Sequence, residues 1–103
     1  MTTIEKQITK GYVTYIHSFS YDDVKRQFQM NLFYDPDLHT VVKLAVTFND
    51  IMDFYLNEDE VEDDCLDQII GIDEYPEGDF VNYVIRTDQR EFIFRTQTTP
   101  VIV

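Results

Sequence analysis

One cysteine, no tryptophan, three glycines and three prolines in 103 residues already exclude several architectures. With Cys65 the only thiol, no disulfide can close within the chain; the disulfide-stapled secreted scaffold is excluded and a reducing, cytoplasmic setting is expected. The scarcity of glycine and proline removes collagen-like and linker-like chains. No apolar run approaches the roughly 20 residues a membrane-spanning helix requires. The start, Met1-Thr2-Thr3-Ile4-Glu5-Lys6-Gln7, lacks the basic region and apolar block of a secretory signal. There is no glycine-rich phosphate loop, no nucleophile elbow and no HExxH. The absence with most consequence is of charge: between Leu44 and Ile85 there is no Lys or Arg.

What is present is material for one core. Hydrophobic residues make up 44% of the chain and aromatics 15%, which excludes intrinsic disorder. The length suits a single domain, residues 1–103. Alternation of β-forming residues dominates. Tyr12 to Tyr21 sets Val13, Tyr15, His17, Phe19 and Tyr21 on one face of a strand. Arg26 to Tyr34 directs Phe28, Met30, Leu32 and Tyr34 inward, and Asp35-Pro36-Asp37 is a turn. Thr40 to Phe48 follows with Val42, Leu44, Val46 and Phe48 on its apolar face. After Asn49-Asp50, the i, i+3, i+4 spacing of Ile51, Phe54 and Tyr55 favours a short helix or irregular connection over a continued strand. Leu66 to Ile72 is a strand, Glu74 to Asp79 a loop, and Phe80 to Thr87 and Arg90 to Thr96 pair across an Asp88-Gln89 turn. Val101-Ile102-Val103 is either a short edge strand or a packed-down end. The expected fold is mainly β, with α+β as the alternative. It is a single curved antiparallel sheet or partial barrel of about six strands with at most one short helix.

The net charge is −12, and its distribution is uneven. Thirteen of the 20 acids lie between Asp50 and Asp79, where no base accompanies them. Such a run is ordinarily a solvated face that maintains solubility. Mixing signs would achieve that without the self-repulsion, so the run also fits a surface that steers a basic partner. Acids two apart on a strand stand about 6.6 Å apart, a spacing that can imitate a row of phosphates. The candidate partner-binding residues are Glu58, Asp59, Glu60, Glu62, Asp63 and Asp64 for steering, with Glu74, Tyr75 and Glu77 as anchors. Phosphates and anionic lipid repel such a surface, so direct nucleic-acid and membrane binding are not expected.

Sites of chemistry do not assemble from the same residues. Asn57, Asp59 and Val61 break a calcium loop at its third ligand. A frame from Asp73 places Gly78 sixth, but puts Tyr75 on a ligand position and Val84 where a bidentate Glu belongs. Asp35, Asp37 and His39 alternate across a turn that is poorly suited to holding a metal. Cys65 lies between Asp64 and Asp67, surroundings that disfavour a thiolate. No enzyme, cofactor or metal is expected.

Val46-Thr47-Phe48-Asn49-Asp50-Ile51, the acidic stretch, Ile69-Ile70-Gly71-Ile72 and the closing hairpin to Phe92-Ile93-Phe94-Arg95-Thr96 resemble in order the small β-rich immunity proteins of bacterial toxin–immunity systems. The resemblance covers roughly Leu44 to Thr96 and carries over no individual functional residue. It implies a protein that binds and blocks a toxin without catalysis of its own. The expectation is thus an inhibitor of a basic partner, such as a nuclease toxin or a nucleic-acid-binding protein. A phage-type anti-defence inhibitor acting as a DNA mimic uses the same mechanism. Two other readings compete: an interaction module that self-associates through a sheet edge at Pro100-Val101-Ile102-Val103, and a small-ligand binder using Tyr12, Tyr15, Phe28 and Phe33.

Overall fold

Strict alternation over Phe28, Met30, Leu32 and Tyr34 gives the molecule its most regular strand, and all four side chains are buried. In a computed structural model, which describes residues 3–34, 43–58 and 67–103, that strand is β2 (Gln27–Tyr34). Around it run α1 (Thr3–Thr9), β1 (Thr14–Asp22), β3 (Lys43–Phe48), β4 (Met52–Glu58), β5 (Asp67–Glu77), β6 (Phe80–Thr87), β7 (Arg90–Thr96) and β8 (Val101–Ile102). The strands form one antiparallel sheet in the order β4-β7-β6-β5-β1-β2-β3-β8, which is not closed into a barrel. Two strands more than the sequence reading are present, from β4 and β8. The turn at Asp35-Pro36-Asp37 and the residues Val42, His39 and Cys65 lie outside the described residues.

The sheet has a narrow waist. β1 pairs with β5 only through Tyr15↔Gln68 and Ile16↔Asp67, whereas the flanking pairs run for six to eight registered positions. About this waist the halves fold face to face. Phe28 lies 5.0 Å from Phe92 and 5.5 Å from Phe94 between ring centroids. Phe48 lies 4.8 Å from Phe94 and 5.2 Å from Tyr83. Each fully buried ring of this kind contributes roughly 1.5–3 kcal/mol by removal from water, with tilted and edge-to-face packing adding to it.

Turn chemistry supports the register. Gly78, with φ 61°, opens the Gly78–Asp79 turn between β5 and β6, where a side chain would be strained. The Asp88–Gln89 turn lacks glycine, and Thr87 compensates. Its Oγ1 accepts the Arg90 and Gln89 amides at 2.9 and 3.2 Å. The same turn is tied to β5, because the Asp88 amide donates to the Gln68 carbonyl and Asp88 Oδ1 accepts from the Gln68 amide.

α1 occupies the flank of β5 beyond its short pairing with β1. Ile4 and Ile8 enter the core at i, i+4 spacing. Glu5 Oε1 accepts the Ile72 amide at 2.8 Å, and the Ile8 carbonyl accepts the Tyr34 hydroxyl at 2.8 Å. Burial raises the Tyr34 phenol's pKa, with neighbouring Tyr12 adding to the effect. Among the described residues no helix is long and apolar enough to cross a membrane.

Candidate partner-binding surface

The stretch read as a short helix after Asn49-Asp50 is instead β4, an outermost strand of the sheet. A bulge explains the difference. Met52 pairs with Arg95 and Tyr55 with Ile93, so Asp53 and Phe54 together stand opposite one residue of β7. Asp53 adopts φ 54°, a left-handed conformation that aspartate tolerates better than most residues. The inserted residue puts Ile51 and Phe54 on the core side three positions apart, which imitates helical spacing. Beyond the bulge Leu56 turns toward the core, while Tyr55 is 60% exposed on the other face. At the start of the strand the Ile51 amide donates to the Arg26 carbonyl. Tyr21 stacks on Phe54 at 4.1 Å and 9°.

The sheet supplies the bases that the acidic stretch lacks in sequence. Arg86 on β6 pairs with Asp73 on β5. Arg95 on β7 reaches Asp53 at 2.9 Å and lies 5.1 Å over the Phe80 ring. Both pairs are substantially exposed and contribute little stability. The third is different. Arg90 Nη1 lies 2.9 Å from Asp67 Oδ2, with side-chain exposures of 13% and 8%, and its guanidinium sits 4.9 Å over Phe19. Burial outweighs the Thr87 hydroxyl and the Arg90 charge here, so the Asp67 carboxyl is held above its ordinary pKa.

These pairs do not neutralise this half of the molecule. Residues 1–49 hold five acids and five bases, so residues 50–103 carry the whole net charge of −12. The division follows the fold except at one strand: α1, β1, β2 and β3 come from the neutral part, β4, β5, β6 and β7 from the acidic part, and the uncharged β8 crosses over to pair with β3. Among the described residues of 50–103, ten acids stand against three bases, while five further acids lie outside the described residues.

The candidate residues fall in three places. Asp59, Glu60, Glu62, Asp63 and Asp64 lie outside the described residues. Glu58 ends β4 opposite Arg90, in the row that continues toward Thr87 and Ile69. Glu74, Tyr75 and Glu77 belong to β5 itself, which runs through the expected Glu74–Asp79 loop as far as Glu77. The register shift between Ile69 and Gly71 absorbs one residue, so they lie four to seven paired positions beyond Ile69, about 13–23 Å further along the sheet. The structure therefore separates Glu58 from the Glu74–Glu77 group. Glu74 points toward the helix, where Oε1 accepts from the Ile4 amide at 3.4 Å; burial raises the Tyr83 pKa, and the Glu74 charge adds to the effect. Tyr75 is 55% exposed. Glu77 Oε2 accepts from Asn82 Nδ2 at 3.0 Å, and the same amide group donates to the Tyr75 carbonyl.

The aromatics read as a ligand site do not share one face of the sheet. Phe28 is fully buried between the halves, while Tyr15 and Phe33 stack on each other at 5.4 Å on the opposite face of the sheet. A shallow depression of about 270 Å³ beside the β6–β7 turn, lined by Asn57, Ile70, Arg86, Thr87, Arg90 and Glu91, is the sort of relief a protein surface offers. Among the described residues no group of three or more His, Cys, Asp or Glu is placed to hold a metal. The edge of β4, unpaired on its outer side among the described residues, is the feature the sequence reading missed. Its signal was the alternation of Asp53, Tyr55 and Asn57 with Phe54 and Leu56.

No family model, curated protein or solved structure matches the chain.

Proposed function

We propose that the protein is a non-catalytic inhibitor that binds a basic protein through its acidic half-sheet. An immunity protein directed at a nuclease toxin is the leading form, and a phage-type anti-defence inhibitor uses the same physics. The observation that supports this reading is the coincidence of charge and fold. All of the net −12 belongs to residues 50–103, even after Arg86, Arg90 and Arg95 are counted. A low-dielectric body charged on one side orients an approaching cationic protein and raises its association rate. Nucleases present basic clefts to phosphate, which makes them natural targets.

The resemblance of Val46–Ile51, Ile69–Ile72 and Phe92–Thr96 to immunity proteins favours the same conclusion. The test is inhibition. A basic nuclease recovered with the protein from its host should lose activity in proportion to added protein, up to one equivalent. Full nuclease activity at saturating protein would sink the proposal.

A further inference from the structure

Resting on that reading, we infer that the outer edge of β4 is where the basic partner docks, by adding an extended strand antiparallel to Tyr55–Glu58. β4 ends the strand order, so alternate backbone N–H and C=O groups on its outer side have no neighbouring strand among the described residues. The bulge at Asp53 blunts only the first part of this edge, and pairing with β7 is regular from Tyr55 to Glu58. Phe54 and Leu56 are only partly buried although they pack against the core, and an added strand would complete their cover.

Charge selects the occupant. Asp53, Asn57 and Glu58 are exposed along the strand, and the described part of residues 50–103 holds ten acids against three bases. A second copy of the chain is disfavoured by the same charges. Two copies, each of net charge −12, would have to bring their acidic strands edge to edge, which self-repulsion opposes. A basic segment meets the opposite condition. Read in its own N-to-C direction, the docking strand places a lysine or arginine opposite Glu58, then apolar residues opposite Leu56 and Phe54 at alternate positions. Tyr55, on the other face, offers its ring to an aliphatic or cationic side chain.

The probe is an acetylated, amidated peptide of alternating lysine, threonine, valine, threonine, valine and lysine with a glycine at each end. It is titrated into the full chain at low salt and followed by amide NMR and hydrogen exchange. The expected result is shift changes centred on Tyr55–Glu58, with exchange of the outward amides slowed about tenfold. Methylating alternate peptide nitrogens that face β4 should abolish the effect, and Glu58→Lys, at an exposed position, should weaken binding several-fold without altering the remaining spectrum. Shift changes confined to Tyr75 and Glu77 would overturn the edge assignment while leaving the basic-partner reading standing. Equal binding by a peptide with glutamate in place of lysine would overturn the charge selection, and with it the reading on which the proposal rests. No change at Tyr55–Glu58, or protection there through concentration-dependent self-association without peptide, would overturn the proposal outright.

Discussion

Replacing Asp67 with alanine tests whether the buried ion pair beside the β6–β7 turn acts as the structure requires. The Asp67 and Arg90 side chains are 8% and 13% exposed, with 2.9 Å between Oδ2 and Nη1. Truncating one partner leaves a largely desolvated guanidinium whose remaining charge-specific contact is the Phe19 ring at 4.9 Å. Breaking a buried pair in this way costs about 3 kcal/mol at the low end of the usual range. For a domain of this size that lowers Tm by roughly 12–24 °C. Converting Arg90 to methionine in the Asp67→Ala background should recover more than half of the loss, because it removes the stranded charge and keeps the stem that packs against Phe19. The assay is a double-mutant cycle by urea unfolding at pH 7. Strictly additive losses would refute the reasoning, since they would mean that the two groups do not sense each other.

Four further outcomes follow from the same structure. Because burial raises the Asp67 carboxyl's folded pKa, the folded state holds that proton more tightly than the unfolded chain does. Its contribution is therefore most favourable below the unfolded value of about 3.9 and is lost as pH rises from there through the raised folded value. The stability difference between wild type and Asp67→Asn should shift against the wild type across that window; a pH-independent difference would contradict the assignment. Phe28→Ala removes the ring that joins the halves and should cost about 3–5 kcal/mol in denaturant unfolding, with less than 1 kcal/mol arguing against face-to-face packing. Glu5→Ala removes the carboxylate that accepts the Ile72 amide and should cost about 1–2 kcal/mol, seen as faster exchange at Ile72 and through α1. Glu58→Lys, on the exposed end of β4, should change stability by no more than about 0.5 kcal/mol, and a larger loss would place Glu58 in the fold rather than on a binding surface.

How much of this could be read from the residues depended on how strictly they alternate. β2, β3, β6 and β7 were legible because Phe28 to Tyr34, Leu44 to Phe48, Val81 to Ile85 and Phe92 to Phe94 keep an unbroken period of two. Where a bulge inserts a residue, the period fails. In β1 the register shifts between Ile16 and Ser18, so Thr14 and Ile16 face inward before His17 and Phe19 does after it. The simple alternation had placed Tyr15, His17 and Phe19 together. In β4 the bulge at Asp53 gave Ile51 and Phe54 a helix-like spacing.

Pro76 made part of β5 read as a loop. Yet among the described residues β5 is paired there with β6 alone, Pro76 opposite Val81, and a residue without an N–H is tolerated where the other side carries no ladder. α1 had only Ile4 and Ile8 to announce it, and seven residues are too few for a helical period to show. The binding surface was legible as an acidic run, but a linear reading could not see that three arginines return across the sheet onto Asp53, Asp67 and Asp73. Nor could it see that Glu58 and the Glu74–Glu77 group stand at different ends of the half-sheet.

The central claim, that one acidic half of this sheet binds a basic protein, is tested most directly by the salt dependence of capture. Wild type and the triple reversal Glu60→Lys, Glu62→Lys, Asp63→Lys are used side by side to capture proteins from host lysate. Capture is performed at low salt and at about 0.5 M, where the screening length falls to about 4 Å. The account predicts a basic protein that wild type retains at low salt and releases as salt rises, and that the triple variant captures poorly at either. A partner held equally by both proteins and at both salts would contradict it, and the acidic stretch would then be a solvated face.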